Sequence, residues 1–168
     1  MGLTYNEVYK YAVRHSCGRI RELKMKKMMV TFLIALVSLG AFAGELTWET
    51  DMTKAKQIAD KEGKAILVNF TGSDWCGWCK RLDREVFDQE TFKKFAEEKL
   101  VLLKVDFPRY KKLSEEETAT NQALARNYKV QGFPTIFLVD AEEKVLLQTG
   151  YRRGGPQAYV DHLVARMK

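Results

Sequence analysis

The chain has 168 residues, room for one domain and little besides, with 28 Lys and Arg against 22 Asp and Glu. Seven of those cations and two of the acids fall within residues 1–43, leaving 21 basic and 20 acidic residues in 44–168. So neutral a remainder lacks the basic stripe that a nucleic-acid partner requires. Its two thiols and single histidine, His162, fall short of the roughly four ligands of a zinc site.

Met25-Lys26-Lys27 and the apolar run 28–39 have the form of a secretory signal. Ala41-Phe42-Ala43 supplies small residues where a signal peptidase reads them, which places cleavage before Gly44. Residues 1–24, which include Cys17, are too long and polar a preface for such a signal. They are expected to be an over-extended reading frame, with the true start at Met25. An uncleaved anchor is the competing reading, although residues 28–43 are fewer than the roughly 20 that span a bilayer. Either way the basic flank stays in the cytoplasm and the remainder lies outside. The expected location is periplasmic or secreted, where disulfides persist.

Met52, Ala55, Ile58 and Ala59 recur at helical spacing, and Gly63 supplies a C-terminal cap. Residues 65–70 read as a buried strand and 71–74 as a loop leading to Trp75-Cys76-Gly77-Trp78-Cys79-Lys80. A helix is expected from 80 to 87, then another capped by Asp88 and carrying Phe92, Phe95 and Ala96. Residues 100–105 read as a second strand, and the charged stretch 108–117 as a solvated loop, with a substrate-selecting loop as the alternative. Ala119, Ala123, Leu124 and Tyr128 predict a further helix; 135–139 and 144–149 flank residues 140–143 as a hairpin. Tyr159, Val160, Leu163, Val164 and Met167 form the apolar stripe of a closing helix. This alternation predicts an α/β sandwich, a sheet covered on both faces, with 44–168 as one domain.

Cys76 and Cys79 lie three positions apart between a strand and a helix, close enough to close a small disulfide ring and to cycle between dithiol and disulfide. At a helix's first turn a sulfur lies near unsatisfied N–H groups and the positive end of the macrodipole. Both favour the thiolate, the reactive form.

With Trp-Cys-x-x-Cys-Lys at 75–80 and Gly132-Phe133-Pro134-Thr135 further on, residues 46–168 resemble the thioredoxin superfamily. The likeness is strongest to exported bacterial members carrying Asp-Trp-Cys-x-Trp-Cys, Val-Asp-Phe-Pro and Gly-Phe-Pro-Thr, here 74–79, 105–108 and 132–135. The resemblance implies a three-layer α/β/α sandwich with a central mixed sheet. It also implies that Cys76 attacks a substrate disulfide and that the more buried Cys79 resolves the mixed disulfide. Gly77 and Trp78 would tune the redox balance in place of the usual Gly-Pro, beside Trp75 and Lys80. Packing and a substrate platform stay open for Trp75 and Trp78. Pro134 matches the family's cis-proline, which leaves Phe133 with free backbone groups for a substrate strand. One departure stands out. The family's buried aspartate is replaced by Asn69, an amide that cannot accept a proton at ordinary pH. Lys104 matches the lysine that accompanies that aspartate, and Asp74 sits in the loop nearby.

The expected function is therefore exchange of disulfides with protein substrates, reduction or isomerisation rather than oxidation. No bound cofactor and no metal is expected. Partners would be protein disulfides and a separate redox partner, membrane-bound or soluble, with the protein itself a monomer. The competing class is a non-catalytic, chaperone-like peptide-binding module that keeps the fold and a static disulfide. A peroxidase is disfavoured because no Pro-x-x-x-Thr-x-x-Cys pattern precedes Cys76.

Overall fold

Asp51 starts the first helix, α1 (Met52–Glu62), by accepting the N–H groups of Thr53 at 2.7 Å and Lys54 at 3.4 Å. Gly63 ends it at φ 64°, a left-handed conformation that costs a glycine nothing because it lacks a Cβ. The computed structural model describes residues 45–167. The expected leader and signal, 1–43, and Cys17 lie outside the described residues. Among those described, no helix is long and apolar enough to cross a membrane.

A two-residue strand, β1 (Trp48–Glu49), precedes α1, and β2 (Ala65–Thr71) follows it. Next come α2 (Gly77–Leu82), which widens into a π-helical turn at Asp83–Phe87, then α3 (Glu90–Lys99) and β3 (Leu100–Asp106). The remainder is α4 (Glu115–Asn127), the hairpin of β4 (Thr135–Val139) and β5 (Val145–Thr149), and α5 (Gly155–Val164). The sheet runs β1-β3-β2-β4-β5, with β3 parallel to β1 and β2, and β4 antiparallel to β2 and β5. This is the expected mixed sheet.

Alternation along the central strands sorts the core into two layers. Ile66, Val68 and Phe70 of β2 join Val101, Leu103 and Val105 of β3 beneath α1 and α4. Leu67, Leu102, Ile136 and Leu138 face the other way, under Leu82, Phe87, Phe92, Tyr159 and Leu163. Asn69 and Lys104 are cross-strand neighbours and share the parity of Leu67 and Leu102. They therefore point toward the layer that carries the two cysteines.

Three boundaries and one stripe position differ from expectation. The helix after the cysteines begins at Gly77, not Lys80, because Cys76 itself is its N-cap. Asp88 caps nothing ahead of it: its N–H closes the π-helical turn on Asp83 O at 2.8 Å, and Gln89 occupies the start of α3 without a side-chain cap bond. The stretch 108–117 is loop only to Ser114, whose hydroxyl accepts the Glu117 N–H and starts α4. Val164 is 41% exposed and leaves the stripe of α5. β1 escaped sequence reading because two residues carry no periodicity.

Tyr128 packs its ring against Phe70 and Phe137, with centroids 5.5 and 4.9 Å apart, while its buried hydroxyl has no hydrogen-bond partner. Burial, with Glu143 adding to it, pushes the phenol up to about 12. Tyr128→Phe keeps the ring contacts and removes the orphan. It is expected to raise unfolding free energy by about 1 kcal/mol, read as a higher denaturation midpoint at unchanged m-value; a loss would refute the assignment.

Candidate active site at the end of the central strands

β2 and β3 run parallel and end together, and β4 begins opposite Phe70. The loop after β2, the segment 107–113 after β3 and the Phe133-Pro134 bond before β4 are thus gathered at one end of the sheet, where α/β folds commonly place their ligands. The Phe133-Pro134 peptide is cis.

Cys76 and Cys79 are joined as a disulfide, with Cα atoms 5.3 Å apart. Cys76 Sγ accepts the Cys79 N–H at 3.2 Å, so the first sulfur occupies the place of an N-cap oxygen. When the pair is reduced, the same donor and the helix's positive end favour charge on Cys76. The sulfurs are not equivalent: Cys76 is 6% exposed and Cys79 1%.

The two tryptophans divide their roles. Trp75 is a wall: its indole N–H donates to Phe107 O at 2.8 Å, its ring meets Phe133 edge-on at 6.0 Å, and Arg109 covers it at 3.8 Å. A Cβ at Gly72 would come within 2.5 Å of that indole, so only glycine lets Trp75 fold over. Trp78 is 53% exposed and leans on Tyr151 at 5.2 Å, an open apolar platform. Gly77 has space around it, with nothing within 4 Å of an added Cβ. Lys80 turns back to donate to Asp74 O at 2.7 Å. Phe133 stacks on Phe107 at 5.1 Å, and among the described residues its backbone N–H and C=O have no backbone partner.

Segment 107–113 is not simply solvated. The Asp74 carboxylate accepts the backbone N–H groups of Arg109 at 3.0 Å, Tyr110 at 2.7 Å and Lys111 at 3.0 Å. Partial desolvation opposes its charge, but these donors together outweigh it and hold the carboxyl below its ordinary range. The Asp74 carboxylate therefore fastens the loop. Asp106 fastens the other side by accepting the Ser73 N–H at 2.9 Å and hydroxyl at 2.6 Å.

Asn69 is buried on β2 opposite Lys104, 1% exposed, and its Oδ1 has no hydrogen-bond partner. Sequence reading missed Asp83. It lies one helical turn beyond Cys79, on the same face, and its N–H bonds back to Cys79 O. Burial raises its carboxyl, Lys104 opposes that, and Asp88 and Asp106 add to it. The signal in the sequence was an acid four positions after a cysteine expected to be buried. A carboxyl raised by folding binds its proton more tightly when folded. Its ionisation thus costs stability as pH rises above the ordinary value of 3.8. Asp83→Asn is expected to melt higher than the wild type near neutral pH, with the gap closing as pH falls toward that value. A gap independent of pH would contradict it.

A family model described as a thioredoxin-like domain matches residues 52–162. The chain is 38% identical over 126 residues to the disulfide bond reductase DsbH of Chlamydia pneumoniae, a match spanning 75% of each chain. It is 28% identical over 134 residues to the thioredoxin-related protein DsbJ of the same organism, covering 76% of this chain and 38% of that one. Among solved structures, the DsbH oxidoreductase superposes with TM-score 0.72 at 36% identity, covering 77% of this chain and 90% of that one. The oxidised C-terminal domain of Neisseria meningitidis DsbD gives TM-score 0.53 at 16% identity over 71% of this chain and 99% of that one, a likeness of fold alone.

Proposed function

This chain belongs to the thioredoxin-like domain family, and from that premise we propose that Cys76 is the attacking thiol and Cys79 the resolving thiol of a disulfide reductase. The protein is a thiol–disulfide oxidoreductase. One observation carries the assignment of roles: the more accessible sulfur of the disulfide, that of Cys76, sits at a helix N-cap and accepts the Cys79 N–H.

In the reducing direction the Cys76 thiolate attacks one sulfur of a substrate disulfide. A Cys76–substrate disulfide forms, and the substrate's other sulfur leaves as a thiolate. Cys79, losing its proton, attacks Cys76 Sγ and expels the second substrate thiolate. Two electrons have passed to the substrate and the Cys76–Cys79 disulfide remains. A further dithiol protein, soluble or membrane-bound, must return those electrons.

The name of the 38% identical relative, a reductase, supports that direction over oxidation. The signal-like segment 25–43 supports work outside the cytoplasm, in a periplasm or secreted. Equilibration with glutathione tests direction: a potential near about −270 mV fits a reductant, and one near about −120 mV an oxidant. Insulin reduction by the wild type and by Cys76→Ser tests the enzyme itself. Equal rates from both would leave only the peptide-binding reading.

A further inference from the structure

Charge is balanced over 44–168, 21 cations against 20 acids, but it is not evenly spread. Arg109 lies over Trp75 on one side of the cysteines. Arg81 lies over Trp78 and Tyr151 on the other, 5.5 and 5.2 Å from their centroids. Lys80 extends from the cysteine helix beside Asp74. Lys111 stands on the loop that Asp74 fastens, and Arg153 is close enough to Tyr151 to act on its phenol.

The acids of this region are otherwise engaged. Asp74 is turned onto backbone N–H groups, Glu85 onto Arg81 and the Tyr151 hydroxyl, and Asp106 onto Ser73. Asp83 is partly buried, with Lys104 near enough to act on it. Among the described residues no carboxylate lies within ion-pair distance of Lys80, Arg109, Lys111 or Arg153. Cations without a carboxylate partner therefore stand on the cysteine helix and on two loops, 107–113 and the segment between β5 and α5. Exposed rings stand between them, with Tyr110 81% and Trp78 53% exposed.

We infer that this rim is a cationic docking collar, and that the preferred substrate is an extended polypeptide with acidic residues flanking its disulfide. The inference rests on the oxidoreductase reading and names its substrate class. A chain pairing with the open backbone of Phe133 presents alternate side chains to either flank, where Arg109 and Arg153 would meet them. The collar acts mainly on the rate of productive encounter, because exposed charges steer association more than they hold a complex.

The test uses three disulfide-bridged peptides that differ only in acidic, neutral or basic residues around the bridge. The wild-type dithiol should reduce the acidic peptide about tenfold or more faster than the basic one at low ionic strength. That ratio should fall toward one as added salt shortens the screening length. Combined Arg109→Glu, Lys111→Glu and Arg153→Glu should reverse the ranking, and the wild-type salt series stands by itself if that variant does not fold. A wild-type ratio near one at low salt, or a ranking that survives charge reversal, overturns the collar while leaving the enzyme in place. Failure to reduce the neutral peptide as well would instead strike the oxidoreductase reading and the collar with it.

Discussion

Cys76→Ser should lower disulfide exchange to background, a loss of at least about a thousandfold. The reason lies in one atom. The Cys79 N–H and the N-terminus of α2 converge on Cys76 Sγ, and they can favour an anion only where the group ionises near neutral pH. A thiol does so and a serine hydroxyl does not. Cys79→Ala should behave differently. It retains the first attack and loses the second, so the enzyme stops at the mixed disulfide. Intact-protein mass under non-reducing conditions should show the substrate adduct on Cys79→Ala and none on Cys76→Ser. Alkylation of the reduced wild type should mark Cys76 before Cys79, in keeping with exposures of 6% and 1%. Exchange surviving in Cys76→Ser, or adducts on the wrong variant, would remove the assignment of roles.

Phe92→Ala should cost about 3–5 kcal/mol of unfolding free energy, a large share of the roughly 5–15 kcal/mol that a domain has in total. Phe92 is fully buried, with its ring 4.8 Å from Phe87 and 6.5 Å from Tyr159. It thereby joins α3, the π-helical turn and α5 over one face of the sheet. Removing it forfeits the transfer energy of the ring and leaves a cavity that three elements would have to close. Urea denaturation should show a lower midpoint at unchanged slope. The folded fraction should keep its disulfide chemistry, because Phe92 stands on α3 and the cysteines at the start of α2. A loss below about 1 kcal/mol would mean that this cluster is not the centre of that layer.

Most of the elements could be read directly. Met52, Ala55 and Ala59 form the buried side of α1, and Gly63 is its left-handed cap. Unbroken apolar runs gave away β2 and β3 because both strands are covered on both faces. Errors fell where competing local signals were close. Asp88 resembles a cap, yet the wider turn from Asp83 to Phe87 draws its N–H backward. Glu115, Glu116 and Glu117 resemble a solvated charge run, yet Ser114 makes them the first turn of α4, where acids complement the helix's positive end.

What the sequence determined by itself is the chemistry carried by contiguous residues: two sulfurs three apart, the strand before them and the helix after. Such features depend on neighbours along the chain, so spacing alone reveals them. The tertiary structure alone decided what Asp74 does for a loop 35 to 37 positions away, which tryptophan packs and which stays open, and that Asp83 comes near enough to Lys104 to feel its charge. It also decided where unpaired cations gather. These outcomes require distant segments to arrive at the same end of one sheet, and that meeting follows from strand order and register, which leave no periodic mark in the sequence.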